Sequence, residues 1–334
     1  MTDRFTILVT GGAGYIGSHA VLALLDSGWK VAVVDNLTTG FRWAVPDEVA
    51  FYEGDIEDST LIARIIEEQN IGAIMHFAGS IIVPESVENP LKYYHNNSSK
   101  SRSLIESAVN GNVKHFIFSS TAATYGIPEE SPVTEETPQV PINPYGMSKL
   151  MTEYMLRDVS AAHDFNFCAL RYFNVAGADP LARTGQSTAG ATHLIKVAVE
   201  AALGKRDNVA VFGTDYDTPD GTGVRDYIHV SDLAAAHVLA LETLIDNPDR
   251  NHLLNCGYGR GFSVMEVLDA VDRVTNLKIN RILEGRRAGD PDSLISDNRA
   301  IMNSFPWQPK HADLDEIVTH ALAWERKLSE IRGE

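Results

Sequence analysis

The sequence predicts an α/β fold, a doubly wound parallel sheet with a second, smaller mixed α/β lobe. Three observations carry this. Strand-like and helix-like segments alternate through the first half of the 334 residues. The strand-like runs are apolar almost throughout, as in strands buried on both faces of a parallel sheet. A glycine cluster, Gly11, Gly12, Gly14 and Gly17, falls where the first strand gives way to the first helix.

Taken in order, residues 5–10 are a short β-branched strand. Residues 15–27 have helical period and stop at Gly28. Apolar strands follow at 31–35 and 49–53, then an amphipathic helix at 58–69 and a fourth strand at 71–77. Residues 90–110 read as one long helix and 113–120 as the fifth strand. Asn143-Pro144 is a helix start, a capping side chain followed by proline at the first helical position. The sixth strand is 165–172. After about residue 177 the loops lengthen, and Gly, Asp and Thr cluster at 213–223. Shorter elements follow: a helix near 191–203, strands near 209–212 and 252–255, and helices near 263–275 and 314–328. Residues 1–177 are therefore expected to form a dinucleotide-binding domain and 178–334 a substrate domain, with 225–246 packing back on the first.

Composition narrows the function. Hydrophobic residues make up 44% of the chain, with no apolar run near the length of a membrane helix. The net charge of −17 leaves no basic excess to neutralise nucleic-acid phosphates. Asp3 and Arg4 lead straight into the first strand, so no signal or transit peptide is expected. Cys168 and Cys256 sit in apolar strand-like stretches and are expected as buried reduced thiols of a cytoplasmic protein. The 11 histidines show no metal-ligand spacing, so no metal is expected, and His76 and His229 read as core or loop histidines. Gly257-x-Gly259-x-Gly261 lacks a downstream acid closing a βαβ unit and reads as a plain turn.

Two motifs point to chemistry. In Gly11-x-x-Gly14-x-x-Gly17, glycine permits a tight turn, close approach of backbone to a pyrophosphate and helix–strand packing. The helix N-terminus adds amides and a positive dipole end. Asp35 ends the second strand, where a carboxylate accepts both ribose hydroxyls and repels a 2′-phosphate, favouring NAD over NADP. Gly54-Asp55-Ile56 and Phe77-Ala78-Gly79 close strands three and four at the sheet edge where such folds bind ligands. The second motif, Tyr145-x-x-x-Lys149, puts a phenol and an ammonium on one helix face, after a strand that ends Ser119-Ser120-Thr121. Lowering a phenol from a pKa of about 10 to about 7 needs about 4 kcal/mol. One charge about 5 Å away at an effective dielectric of about 20 supplies about 3 kcal/mol. A phenol beside a cation and a nicotinamide moves a proton and a hydride at a sugar or alcohol carbon.

With these residues in hand, the chain resembles the extended short-chain dehydrogenase/reductase family, a Rossmann-like fold, over essentially its whole length. The likeness rests on Val9-Thr-Gly-Gly-Ala-Gly-Tyr-Ile-Gly-Ser-His19, Asp35-Asn-Leu37, Gly54-Asp-Ile56, His76-Phe-Ala-Gly79, Tyr94-His-Asn96-Asn97 and Phe118-Ser-Ser-Thr121. It continues through Asn143-Pro-Tyr-Gly-Met-Ser-Lys149, Leu170-Arg-Tyr-Phe-Asn174 and Gly221-Thr-Gly-Val-Arg-Asp-Tyr-Ile-His229. The resemblance implies that NAD lies against Gly11, Gly14, Tyr15, Ile16, Gly17, Asp35, Asn36, Asp55, Ile56, Phe77, Ala78, Gly79, Asn96, Lys149 and Phe173. It implies Tyr145 as the base at the sugar 4-hydroxyl and Thr121 as a hydrogen-bond partner of the 4-oxygen. Lys149 would hold the nicotinamide ribose and lower the tyrosine's pKa. A nucleotide sugar would further contact Asn174, His193, Leu194, Ala210, Phe212, Arg225, Arg287 and Asp290. The two arginines suit a diphosphate, the bland alternative being surface pairing with Asp226 and nearby acids.

The implied activity is interconversion of UDP-glucose and UDP-galactose at carbon 4 through a 4-keto sugar, in a homodimer built on residues 90–110 and 144–163. Two positions depart from the family pattern. Ile81 stands where some relatives place a lysine near the cofactor phosphates, and Leu294 stands at the gate for the hexose 2-substituent, intermediate in size between the residues that exclude and admit N-acetyl sugars. Ala122-Ala123 after Thr121 cannot serve as the extra acid/base of a dehydratase or decarboxylase. The N-acetylhexosamine substrates, a 4-reductase and a non-catalytic NAD-binding regulator stay open as alternatives.

Overall fold

Seven parallel strands form the main sheet, in the order β10-β6-β5-β4-β1-β2-β3. They are β1 (Thr6–Thr10), β2 (Lys30–Asp35), β3 (Ala50–Glu53), β4 (Ile71–His76), β5 (His115–Thr121), β6 (Asn166–Tyr172) and β10 (His252–Cys256). The computed structural model describes residues 5–287 and 289–333. Successive strand side chains point to opposite faces, so the near-continuous apolar runs feed two cores. Ile7, Val9, Val33, Met75 and Leu170 lie on one face, under α1 (Tyr15–Asp26) and α8 (Val230–Asp246). Leu8, Val34, Ile74, Phe116 and Phe118 lie on the other, under α2 (Ser59–Gln69), α5 (Lys100–Asn110) and α6 (Pro144–Ala162). The chain winds outward from β1 to β3 and then returns to β4, so the winding reverses between β1 and β4. The crevice at the carboxyl edge of such a reversal is where sheets of this kind bind ligands.

Local chemistry accounts for the helix boundaries. Asp58 caps α2 by accepting from the amides of Thr60 and Leu61. Asn143 Oδ1 accepts from the Gly146 amide at 2.8 Å, with Pro144 at the first position, and so starts α6 where the sequence expects it. The expected single helix 90–110 is instead α4 (Pro90–Tyr93), a π-helical stretch Tyr94–Ser99, and α5. The wider turn fits the use made of Asn97. Its Oδ1 accepts from the Ser80 amide, its Nδ2 donates to Ser148 Oγ, and its carbonyl accepts from Ser101 and Thr152. Helix α3 (Val83–Glu88) was too short to show a period.

The second lobe has its own core, built from α7 (Leu194–Ala202), α9 (Val264–Thr275) and α11 (Leu314–Arg332). A two-stranded parallel sheet of β8 (Val209–Phe212) and β12 (Arg281–Glu284) flanks it. Strand β9 (Val224–His229) joins the lobes. It pairs with β7 (Asn174–Ala176), β11 (Gly261–Ser263) and β13 (Ser293–Leu294), then runs directly into α8. The return to the large sheet is not limited to 225–246. Strand β10 is its edge, and α10 (Arg299–Ser304), Phe305 and Trp307 pack into the same core as α1 and α8. Cys168 and Cys256 are free and buried on the adjacent strands β6 and β10, and burial pushes both thiols up.

One buried ionic network crosses the main sheet. Arg171 on β6 donates from Nε to Glu153 Oε1 at 2.9 Å and from a terminal nitrogen to Oε2 at 2.6 Å. Its other terminal nitrogen donates to the Tyr125 hydroxyl at 3.0 Å, and that hydroxyl donates to Asn255 on β10. Both charged side chains are essentially without solvent exposure. A buried charge that loses its partner costs about 3–5 kcal/mol. Glu153→Ala is therefore expected to destabilise the protein by about that amount in urea unfolding monitored by circular dichroism.

Candidate active site

The glycine turn is tightened by contact across the crevice. Gly11 has φ +68°, and a Cβ there would lie 2.7 Å from the Ala78 amide beyond β4. A Cβ on Gly17 would lie 2.1 Å from the Gly11 carbonyl. No side chain caps the N-terminus of α1. Its first turn thus presents backbone amides to the crevice, as a pyrophosphate requires. Tyr15 and Ile16 begin that helix, and the Tyr15 hydroxyl donates to the Gly177 carbonyl at 2.7 Å.

Asp35 is buried at the end of β2. Its Oδ2 accepts from the Ala13 amide at 2.9 Å and its Oδ1 from the Leu37 amide at 2.8 Å. Burial nonetheless raises its pKa above the usual carboxylate value. Asn36 and Asp55 stand beside it as a pair, with Lys100 Nζ 2.6 Å from Asp55 Oδ2. Burial opposes ionisation of Asp55, but the hydrogen bond from Lys100 and those from Glu57 and Asn36 outweigh it and hold the carboxyl low. Ile56 is buried next to this pair in sequence, and Phe77, Ala78 and Gly79 line the start of the loop after β4. Asn96, in the π-helical stretch, donates to Ser80 Oγ. Ile81 is exposed. The uncapped helix, the contacts that leave no room for a Cβ and the carboxylate at the end of β2 together fit a dinucleotide.

Tyr145 and Lys149 lie on the buried face of α6. Lys149 Nζ donates to the Ser119 carbonyl at 2.9 Å and sits 4.9 Å from the Phe118 ring centroid. Burial lowers its pKa to about 8, with the Glu153 charge acting in the opposite direction. The three hydroxyls at the end of β5 divide their work. Ser119 bonds Tyr172, Ser120 donates to Glu153, and Thr121 bonds Tyr145. Burial raises the Tyr145 pKa above its usual value, and the Thr121 hydrogen bond only partly offsets that. In the free protein the charge of Lys149 is thus not among the influences that set the phenol's pKa; the expected lowering concerns the protein with its nicotinamide bound. Loss of water disfavours the phenolate, and the ammonium is engaged with a carbonyl on the strand below.

The other expected substrate residues are spread over β7, the start of α7, β8, β9 and the loop after β12. Asn174, His193 and Leu194 border a cavity that Tyr15 also lines. Tyr15 and His193 meet edge to face, with ring centroids 6.1 Å apart. Ala210 and Phe212 are half-buried on β8, and the Arg287 guanidinium lies 3.7 Å from the Phe212 ring centroid. Arg225 pairs with Asp290 at 3.3 Å. Asp226, the partner the bland alternative named, is instead buried and accepts from Tyr258, Gly259 and Ser296. Leu294 packs with Phe173 against Ala122, Tyr125 and Val133. His76 bridges Thr10 and Ser101, each at 2.7 Å. Gly257 to Gly261 is the turn between β10 and β11.

Sequence reasoning missed the residues that fix this geometry. Glu153 sits four residues after Lys149, a spacing that could have suggested it. Ser119 acts through its carbonyl, which no side-chain pattern reveals.

A strand reversal at a glycine turn, faced by a buried Tyr–Lys pair, defines an enzyme of the dinucleotide-binding α/β class. The chain belongs to the NAD dependent epimerase/dehydratase family, whose model matches residues 7–257. It is 53% identical to a UDP-glucose 4-epimerase of Azospirillum brasilense, over 100% of this chain and 97% of that one. The crystal structure of UDP-glucose 4-epimerase from Brucella ovis in complex with NAD superposes with a TM-score of 0.93 at 42% identity, covering 96% of this chain and 98% of that one. The UDP-Glc/GlcNAc 4-epimerase of Campylobacter jejuni superposes with a TM-score of 0.85 at 48% identity, covering 97% and 100%. Among the described residues, no helix is long and apolar enough to cross a membrane.

The buried ammonium gives a pH signature. Its pKa is about 8 in the folded protein against 10.5 for an ordinary lysine. Between those values the unfolded chain binds more protons, so stability from this group rises with pH. Ligand-free wild type is expected to gain urea stability relative to Lys149→Met as pH rises from about 8 to 10.5. A constant difference across that window would contradict the assignment.

Proposed function

We propose that this chain is an NAD-dependent epimerase that interconverts UDP-glucose and UDP-galactose at sugar carbon 4. The carrying observation is the buried Tyr145–Lys149 pair with Thr121 bonded to the phenol, at the carboxyl edge of β5 beside the strand reversal. The relatives named above support this reading. NAD, when bound, supplies the hydride acceptor and donor at carbon 4.

The chain's own groups do the rest. Tyr145 accepts the proton of the sugar 4-hydroxyl as the C4–H bond breaks, and returns it when the hydride comes back to the other face. Thr121 steadies the same oxygen by hydrogen bonding. Lys149 would hold the nicotinamide ribose hydroxyls, its position already set by the Ser119 carbonyl. Burial keeps Tyr145 protonated in the free protein. The phenolate is then favoured only when a further positive charge shares the cavity. Asp35, held by the Ala13 and Leu37 amides, would accept hydrogen bonds from the adenosine ribose hydroxyls. Arg225 and Arg287 turn from Asp290 and Phe212 to the diphosphate, which anchors the nucleotide while the 4-keto sugar rotates. Free buried thiols suit a reducing compartment, and we place the enzyme in the cytoplasm.

The test is to incubate purified protein with UDP-galactose, with no cofactor added, and follow UDP-glucose by chromatography. Wild type is expected to reach an equilibrium mixture, and Tyr145→Phe to be slower by about 100-fold or more. No conversion by wild type, even with NAD supplied, would contradict the proposal. The N-acetylhexosamine pair belongs in the same assay, because Leu294 is smaller than an aromatic gate and packs against the same buried cluster as Phe173.

We also propose a homodimer. Val87 and Leu91 on α3 and α4, and Met147, Met151 and Tyr154 on α6, are exposed apolar side chains on helices that pack together. Such a patch marks an interface. Light scattering is expected to give twice the chain mass, and Leu91→Asp with Met151→Asp to give the monomer. A monomeric wild type would overturn this.

A further inference from the structure

Away from the crevice, three imidazoles and a carboxylate converge where α11 begins. His311 precedes the capping residue Asp313, and Glu316 and His320 stand four residues apart on one face of α11. His311 Nδ1 lies 2.8 Å from Glu316 Oε1. One ligand atom each from His311, Glu316 and His320 fall within 4.8 Å of one another. His229 closes the buried side. Its ring centroid is 4.7 Å from that of His311, and its Nε2 is 3.0 Å from His320 Nδ1. None of these residues has a part in the chemistry proposed above.

We propose that His311, Glu316 and His320 form a binding site for a divalent cation of the zinc class, backed by His229. A tetrahedral ion with bonds of about 2.0–2.1 Å holds its ligand atoms roughly 3.3 Å apart. The ligand atoms here span from 2.8 Å, between His311 and Glu316, to at most 4.8 Å, and both of those side chains are partly solvent-accessible and can adjust around an ion. Two imidazoles with one carboxylate select Zn2+, Co2+ or Ni2+ over Mg2+ and Ca2+, which prefer oxygen shells. The positive end of α11 opposes a cation, but Asp313, Asp315 and Glu316 stand in or at its first turn.

The hydrogen bonds also bound the affinity. His229 Nδ1 accepts from the Ser231 amide at 3.0 Å, so the hydrogen of the neutral ring is on Nε2 and is donated to His320 Nδ1. A cation that takes this lone pair displaces that hydrogen bond, which makes the site weaker than a dedicated structural zinc centre. The location gives the ion a role. His229 is the last residue of β9, the strand that carries Arg225, and its ring packs where a Cβ on Gly177 would be. The ion thus clips the C-terminal helix to the strand that joins the two lobes.

The test uses untagged full-length protein, freed of metal with a chelator and titrated with Co2+. Wild type is expected to take up one Co2+ per chain with the intense visible absorption of a four-coordinate site, to release it to Zn2+, and to ignore Mg2+. His320→Ala and Glu316→Gln are each expected to weaken uptake by about tenfold or more. His311→Gln lies outside the helix and serves as the variant least able to disturb folding. Zn2+ should also raise the urea midpoint of wild type and leave those of the variants unchanged. Failure of wild type to take up Co2+ at micromolar concentrations, or equal uptake by all three variants, would overturn the proposal.

Discussion

The site depends on a buried ammonium. Lys149 is buried away from solvent, and in this position an isolated charge is strongly disfavoured. Three features offset that: the Ser119 carbonyl at 2.9 Å, the face of Phe118, and the charge of Glu153 one turn along α6. Glu153 is itself tolerable because Arg171 meets both its oxygens and Ser120 donates to one of them. Arg171 in turn is held by Tyr125, which reaches Asn255 on the edge strand. The position of the amine therefore traces back through a chain of paired groups spanning α6, β6 and β10. Such a chain specifies geometry more than it adds stability, since burying ions is expensive even when they are paired.

That rigidity contrasts with the substrate side. Arg287 is exposed and Arg225 only partly so, and their side-chain contacts, an ion pair between Arg225 and Asp290 and a Phe212 ring under Arg287, are ones an anionic ligand can replace. A fixed redox wall facing an exchangeable anchor is what a reaction with a turning intermediate needs. The nucleotide must stay while the sugar rotates. The two walls are coupled through β9, which carries Arg225, and through Tyr15, which touches both His193 and the Gly177 carbonyl.

Much of this was legible in the sequence, for reasons that are local. The glycine turn, Asp35 and the Asn143-Pro144 helix start are each encoded within a few residues. So is the Tyr145–Lys149 face, because helix period alone fixes it. What was not legible depends on distant partners. The π-helical stretch at 94–99 exists for contacts between Asn97 and residues 80, 148 and 152. The elevated Tyr145 pKa comes from enclosure by the whole fold. Short strands such as Ser293–Leu294 have no periodicity to read and form because β9 offers an edge. Glu316 and His320 are four apart in the helix the sequence expects at 314–328, but His311 joins them from the preceding loop and His229 from β9, which only the fold brings together.

The most direct measurement of the central claim uses UDP-galactose carrying deuterium at sugar carbon 4, incubated with the purified protein in ordinary water. A single site that removes and returns the same hydride keeps the label. Mass spectrometry of the UDP-glucose formed should find deuterium fully retained at carbon 4, with none passed to solvent. Loss of the label to water would mean that carbon 4 exchanges a proton rather than a hydride, and would contradict the account.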